Sequence, residues 1–542
     1  MATDKPEAAL KVCLINPRFR PSFFAFDFAL PVLGGSARYW SVTNALPTLA
    51  ALAPEGCDVT LLDENVEEID FEALADFDVI GVTGMIVQRK RVREILLRLK
   101  GSNARIIVGG PYVTVDEHAF DGLCDSRFIG EAEETWPAYL TALMQGAPVQ
   151  ARYEQAERTD MTKVPVPRFD LLKADRYVQA TLQFSRGCPF LCEFCDIIVI
   201  FGRRPRLKTP EQVLDELDAI VSAGFRVCFV VDDNFIGNKG EARKLLHRII
   251  AWQREHGYPL QLSTEASINL ADDLELVELM VKANFRQVFI GIETPRVASL
   301  NETRKVQNVR GDSLLDKVKR VRDAGLVVSA GFIVGFDNDD VAIFDEQRRF
   351  IQASGIAQAT IAILTPVPST PLYDRLKAEG RLDDNGREVA FFPKQMTQSE
   401  LYEGHLALVQ GLYKPEAYLG RVLAGYRGSP AFRRRRTELE TEIGRPSSVV
   451  GAAMGLKSAL AKTARLGAAL VRGRVFWRFA PTYLRIYLRE NLPLGRERIP
   501  LAQYVGLLIT HWHFYNLMNH ESRMDFGNAV ETSAALYPMA AE

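Results

Sequence analysis

Ala180-Thr-Leu-Gln-Phe-Ser-Arg-Gly-Cys-Pro-Phe-Leu-Cys-Glu-Phe-Cys195 begins with a short apolar run and ends with three cysteines inside eight residues. The run reads as a strand, and Gly187 ends it, so Cys188, Cys192 and Cys195 leave a single loop at the carboxyl end of that strand. Further apolar runs follow at 227–231, 260–263, 287–291, 327–331 and 360–364, separated by helical patterns. Six strands at this spacing predict an open or partial barrel of βα units, with the cysteines on its carboxyl face. The first helix is expected at Thr209-Pro-Glu-Gln212, with Thr209 as N-cap, Pro210 at the first helical position and Gln212 closing a capping box.

Three clustered thiols need a metal partner that fits three. A structural zinc site takes four protein ligands, yet no second cysteine pair follows, and the nearest histidines, His118 and His247, are far away in sequence. A four-iron cluster that only carries electrons takes four thiolates. Three leave one iron open to chelate a substrate, which is the reading the spacing favours. A non-catalytic iron-sulfur carrier remains as the distant alternative.

Upstream, residues 12–16, 58–62, 79–83, 105–109 and 127–130 are apolar runs separated by helical patterns, which predicts a parallel, doubly wound sheet. Most end in turn-forming residues at the edge where such sheets bind ligands: Thr83-Gly84, Gly109-Gly110-Pro111 and Gly130-Glu131. There is no GxGxxG, so this edge suits any flat, phosphate-bearing cofactor; glycines that merely make tight turns are the plainer alternative. Residues 149–176 read as a polar linker with Pro165 and Pro167.

The 542 residues carry a net charge of −2, and 47% are hydrophobic, a globular composition that excludes disorder and a wholly basic nucleic-acid binder. Residues 421–500 hold 17 Lys and Arg against 5 Asp and Glu, a local charge of +12. Basic residues there, among them Arg433 to Arg436, Arg465, Arg472, Arg474, Arg478, Arg485 and Arg489, interleave with Leu466, Leu470, Phe476, Trp477 and Leu488. Such helices suit an anionic membrane surface, the alternative being a solvated face packed on the acidic remainder; no nucleic-acid module surrounds them. His511-Trp-His513 places two histidines at alternate positions, which do not face one point on a helix, so aromatic packing is expected. The remaining cysteines, Cys13, Cys57, Cys124 and Cys228, read as buried small hydrophobes. The N-terminus shows no signal peptide and no stretch is apolar enough to span a bilayer, so a cytoplasmic address is expected.

The CxxxCxxC spacing with Phe194 before the third cysteine resembles the radical S-adenosylmethionine (SAM) superfamily. In that superfamily the open iron of a 4Fe-4S cluster is chelated by SAM. Asp232-Asp-Asn-Phe235, Glu265, Gly291-Ile-Glu-Thr-Pro295 and Gly331-Phe-Ile-Val-Gly335 stand at or near strand ends. By the resemblance, Phe194, Asp232, Asp233, Glu265, Glu293 and Gly335 are SAM-binding candidates; singly, Glu265 or Glu293 reads equally as a capping or ion-paired carboxylate. Val108-Gly-Gly-Pro-Tyr112 and Gly130-Glu-Ala-Glu133 are similar to the turns of the cobalamin-binding domain in one class of this superfamily. That implies cobalamin contacts at Thr83, Gly84, Gly109, Gly110, Pro111, Gly130 and Glu131. The Asp-x-His-x-x-Gly of other cobalamin domains is missing, with Asn16-Pro17-Arg18-Phe19 in its place, so no histidine is offered to cobalt. Residues 10 to 420, and 180 to 300 most strongly, resemble the hopanoid methylases, and more loosely the bacteriochlorophyll-pathway methylases and the anaerobic protoporphyrin cyclase.

The expected organisation is therefore α/β: a Rossmann-like cobalamin domain over 8–148, a linker over 149–176, a partial (β/α)6 radical SAM barrel over 177–395 and a helical region over 396–542. The resemblance implies a C-methyltransferase that attacks an unactivated carbon of a small hydrophobic, hopanoid-, lipid- or tetrapyrrole-like substrate through a 5′-deoxyadenosyl radical and methylcobalamin. A cobalamin-assisted cyclase or rearrangement enzyme is the alternative. An electron donor such as flavodoxin or ferredoxin and a peripheral membrane contact complete the expected partners, and no nucleic acid is expected.

Overall fold

The structure is a computed structural model, and it describes residues 9–383, 389–443, 449–492 and 499–524. The first sheet holds β1 (Leu10–Asn16), β3 (Cys57–Asp63), β4 (Val79–Thr83), β5 (Arg105–Gly109), β6 (Ser126–Ile129) and β7 (Arg152–Glu154). Its order is β3-β1-β4-β5-β6-β7, parallel throughout. Val12, Cys13, Leu14 and Ile15 are all buried because both faces of the sheet are covered. Alternation along the strand sends Val12 and Leu14 to Leu46, Trp136 and Leu140, and Cys13 and Ile15 to Val92, Ile95 and Leu96. The chain passes from β1 to β3 on one side and returns to β4 on the other, which opens a crevice at the carboxyl ends of β1 and β4.

The second sheet holds β2 (Tyr39–Ser41), β8 (Tyr177–Leu182), β11 (Val227–Val230), β12 (Gln261–Ala266), β13 (Phe285–Glu293), β14 (Val327–Val334) and β15 (Ala359–Ile363), again all parallel. Its order, β15-β14-β13-β12-β11-β8-β2, is that of a curled half-barrel. Between β8 and β11 a small antiparallel ladder joins β9 (Ser185–Arg186) to β10 (Arg206–Leu207). The helix Pro210–Ser222 opens as expected: Thr209 Oγ1 accepts from the Gln212 N–H at 3.2 Å, and the Gln212 side chain accepts from the Thr209 N–H at 2.9 Å.

Two segments depart from the expected organisation. β2 lies inside the stretch assigned to the first domain, yet it pairs with β8 and adds a seventh strand to the barrel sheet. Three residues, Tyr-Trp-Ser, are too short to show a period. β7 falls in the expected linker and adds a sixth strand beside β6. Of the scattered cysteines, Cys13 and Cys228 are fully buried, whereas Cys57 and Cys124 are only half-buried; all seven are free thiols.

The C-terminal helices seal the open edge of the half-barrel. Tyr413 Oη donates to the Ala359 carbonyl at 2.8 Å and accepts from its N–H at 3.1 Å, and His405 Nε2 donates to the Ile361 carbonyl at 2.9 Å. The unpaired edge of β15 is thus satisfied by side chains instead of by another strand. His511 is buried, with Nε2 on the Tyr413 carbonyl at 3.0 Å and Nδ1 on Tyr483 Oη at 2.6 Å; His513 donates to the Ser22 carbonyl and stacks on Phe26. Burial pushes both imidazoles down to about 4, so they are neutral packing groups, as expected.

Candidate active site

The cysteine loop is built on a backbone that only glycine can supply. Gly187 has φ +98°, and a Cβ there would lie 2.9 Å from the Gly202 carbonyl oxygen and 3.0 Å from that of Arg204. The Cys188 N–H donates to the Gly202 carbonyl, which closes the base of the loop. Asp232 accepts from the Phe184 N–H at 2.8 Å and from Ser185 Oγ at 2.6 Å, and Asp233 accepts from the Gly187 N–H at 2.7 Å. Burial raises Asp232 to about 7 and Asp233 to about 6. With both oxygens engaged and 1% exposure, Asp232 braces the base of the loop. Glu193, between the cysteines, is clamped by Arg375 at 2.6 Å.

Among the described residues, no three His, Cys, Asp or Glu side chains converge on a single metal ion. Three thiols from one loop are instead suited to a cluster, where each binds a different iron. Their surroundings fit such a group. Asn234 Nδ2 points at Cys188 Sγ at 4.0 Å and Gln307 Nε2 at Cys192 Sγ at 3.7 Å. Burial pushes all three thiols up, Cys195 to about 12, while the Lys305 ammonium pulls each of them down. Thiolate at this place therefore depends on bonding to metal.

Around the loop, Lys305 forms an ion pair with Glu293, a buried residue held at φ +63°, and its Nζ lies 5.9 Å from the centre of the Phe194 ring. Phe194 in turn lies 6.1 Å from Phe336. Gly335 has φ +105°, and Asp339 accepts from the Gly335 and Phe336 N–H groups at 3.0 and 3.1 Å, which fixes that turn. Glu265 is partly exposed and pairs in register with Phe289, so both face the barrel interior. Burial and the nearby Asp233 raise Glu265 to about 7. Sequence reasoning did not single out Lys305, Gln307, Asn234 and Asp339: isolated side chains in loops, or in the single turn Val306–Val309, carry no spacing signal.

Between the two sheets lies a cavity of about 270 Å³. Thr83, Gly109, Gly110, Pro111, Gly130 and Glu131 line it; Gly84 does not, and instead packs against Val92. Leu14, Ile107, Phe128 and Trp136 give it apolar wall, and Arg186, Phe201 and Val231 line it from the barrel side. Gly110 has φ +97°, and a Cβ there would lie 2.5 Å from Thr83 Oγ1. Asn44, on the wall, has a buried carbonyl oxygen without a partner. No histidine is among the lining residues. Glu131 is less a ligand than a strut: Oε1 accepts from Arg186 at 2.7 Å and Arg206 at 3.0 Å, and Oε2 from the Thr159 N–H. Glu133 joins Arg186 at 2.6 Å; burial acts to raise its carboxyl, but Arg186 outweighs that and holds it low.

Comparison with known proteins matches this geometry. The radical SAM superfamily model covers residues 182–351, the B12 binding domain model residues 31–140, and a domain of unknown function, DUF4070, residues 370–524. The chain is 35% identical over 428 residues to the hopanoid C-2 methylase of Rhodopseudomonas palustris, spanning 78% of this chain and 80% of that one. The chain belongs to the cobalamin-dependent radical SAM methyltransferases. An uncharacterized methyltransferase of Synechocystis sp., sll1242, is 40% identical over 422 residues, 76% of this methyltransferase and 78% of the relative. The fold is shared with the cobalamin-dependent SAM radical enzyme OxsB, solved with aqua-cobalamin and SAM bound, at a TM-score of 0.59 and 16% identity over 96% of this methyltransferase and 81% of that chain. The enzyme works with a 4Fe-4S cluster, SAM and cobalamin, acts on a small substrate and needs a reductant. No helix among its described residues is long and apolar enough to cross a membrane.

Proposed function

We propose that this enzyme methylates an unactivated carbon of a polycyclic, hopanoid-like lipid at the membrane periphery, reduced by flavodoxin or ferredoxin. Residues 8–148 hold the cobalamin and residues 177–395 carry the radical step. The observation that carries this reading is the cavity shared by both sheets, which puts the Gly109–Pro111 edge opposite the Arg186 and Phe201 wall beside the cysteine loop. A hydrophobic substrate is supported by Phe289 on the barrel interior, with Phe24, 58% exposed, set edge-on at 5.6 Å.

When bound, the cofactors supply a radical that takes hydrogen from an unactivated carbon and a methyl group for that carbon. Cys188, Cys192 and Cys195 bind three irons. Lys305 offsets their negative charge, and Gln307 and Asn234 orient the sulfurs. Glu265, Asp233 and the Glu293–Lys305 pair would hold the charged end of SAM, and Phe194 and the turn at Gly335 would hold the rest of it. Thr83, Gly109, Gly110, Pro111 and Gly130 would hold the cobalamin, and Asn44 would offer it an acceptor. Phe201 and Val231 keep water from the shared chamber.

The test is anaerobic reconstitution with methyl-labelled SAM and a hopanoid, followed by mass spectrometry. Labelled methylhopanoid with 5′-deoxyadenosine is expected, and Cys188→Ala, Cys192→Ala or Cys195→Ala abolishes both products and the cluster absorbance. A ring-closed product without label would overturn the methylation.

A further inference from the structure

The basic C-terminal stretch divides into two sets. Arg433 donates to the Tyr426 carbonyl, Arg435 pairs with Glu278, Arg436 donates to the Arg286 carbonyl and Arg465 to that of Val32; Arg485 and Arg489 pair with Glu416 and Glu490. These arginines are internal struts or neutralised surface groups. Arg472, Arg474 and Arg478 are exposed and have no acidic partner among the described residues. All three flank the turn that joins the helices Val449–Arg472 and Phe476–Asn491.

The second of these helices has two apolar faces where a helix packed on one core needs one. Phe479, Tyr483 and Ile486 are buried. On the opposite side, Trp477, Pro481, Leu484 and Leu488 recur at i, i+4, i+7 and i+11, and they are exposed: Trp477 by 85%, Leu484 by 58%, Leu488 by 40%. Val471, beside Arg472 at the turn, is 60% exposed. An amphipathic indole and leucines in a line, bordered by unneutralised guanidinium groups, match the two layers of a lipid surface, acyl chains and anionic headgroups.

We infer that this helix and the turn before it dock the enzyme on an anionic bilayer, with the Trp477–Leu488 stripe in the acyl boundary and Arg472, Arg474 and Arg478 on the headgroups. Charge complementarity selects this occupant, because nothing in the stripe pairs with a second stripe of the same positive sign. The inference gives the proposed membrane setting its surface and rests on that setting, but its test does not depend on the reaction.

The full-length, cofactor-loaded enzyme is mixed with vesicles of phosphatidylcholine alone or with one quarter phosphatidylglycerol, and sedimented. Binding is expected only with the anionic vesicles, and it should fall with salt. It should weaken about tenfold or more in R472E/R474E/R478E, and by a similar factor in W477S/L484S, which removes apolar contact without changing charge. Cobalamin and cluster spectra, and turnover of detergent-dispersed substrate, should be unchanged in both variants. Equal sedimentation of wild type and variants would overturn the docking, as would a stripe-dependent dimer in sedimentation velocity with no lipid binding. Loss of turnover with intact vesicle binding would count against the proposed substrate and leave the docking standing.

Discussion

Gln307 sits beneath the cysteine loop with its amide nitrogen on Cys192 Sγ and its carbonyl oxygen buried without a partner. A donor on a cluster thiolate stabilises the more negative, reduced state. Gln307→Leu, which keeps much of the volume, is expected to lower the midpoint potential of the cluster in a potentiometric titration followed by electron paramagnetic resonance; an unchanged potential would show that the amide is only a packing group. Glu265 makes a different demand. Its carboxyl is raised from 4.5 to about 7, so folding disfavours its ionised form. The stability tied to the neutral form is complete below the unfolded value and is lost as pH rises through about 7, on the order of 3 kcal/mol at most. Cofactor-free Glu265→Gln should therefore keep a flatter melting temperature between pH 5 and 8 than the wild type, while binding SAM more weakly at pH 8. A parallel pH dependence in both proteins would place the titration elsewhere, with Asp232, Asp233 and Asp339 among the other raised carboxyls.

At the level of elements, the short β9–β10 ladder does more than close the cysteine loop. Arg186 on β9 and Arg206 on β10 both reach Glu131 at the end of the cobalamin-side sheet, and Arg186 also holds Glu133. These side chains are largely buried, so removing one partner leaves charge without solvent, a cost of about 3 to 5 kcal/mol. Arg186→Ala should lower the denaturant midpoint accordingly and weaken cobalamin binding together with cluster assembly, because one strut serves both sites. Arg186→Lys should recover part of the stability, since a point charge satisfies one carboxylate but not the forked pair. Loss of cobalamin alone, with a normal cluster and midpoint, would show that the two sheets are not coupled here.

Across the whole molecule, the cavity between the two sheets is lined in part by apolar Leu14, Ile107, Phe128 and Trp136, and no histidine is among the described residues that line it. No protein histidine is expected on cobalt, so labelling the histidines with 15N should leave the electron paramagnetic resonance spectrum of the cob(II)alamin form unchanged, and Gly110→Val should abolish cobalamin binding while sparing the cluster absorbance. A spectrum that changes with 15N-histidine would contradict the lining.

Both sheets were legible in the sequence because buried parallel strands are runs of apolar residues at regular intervals, and the cluster was legible because three thiols bind it from one loop. Period and spacing are local, and a chain carries them before it folds. What only the tertiary structure decided lies in contacts between distant residues. β2 joins the barrel across more than a hundred residues of chain, Asp232 and Glu131 become struts because arginines and backbone N–H groups from other elements reach them first, and Lys305 and Gln307 come to the thiols from the start of the short helix Val306–Val309, one turn with no period to read. The same holds for charge: composition showed that 421–500 is basic, but which arginines remain unneutralised depends on where Glu278, Glu416 and Glu490 fall once the helices pack.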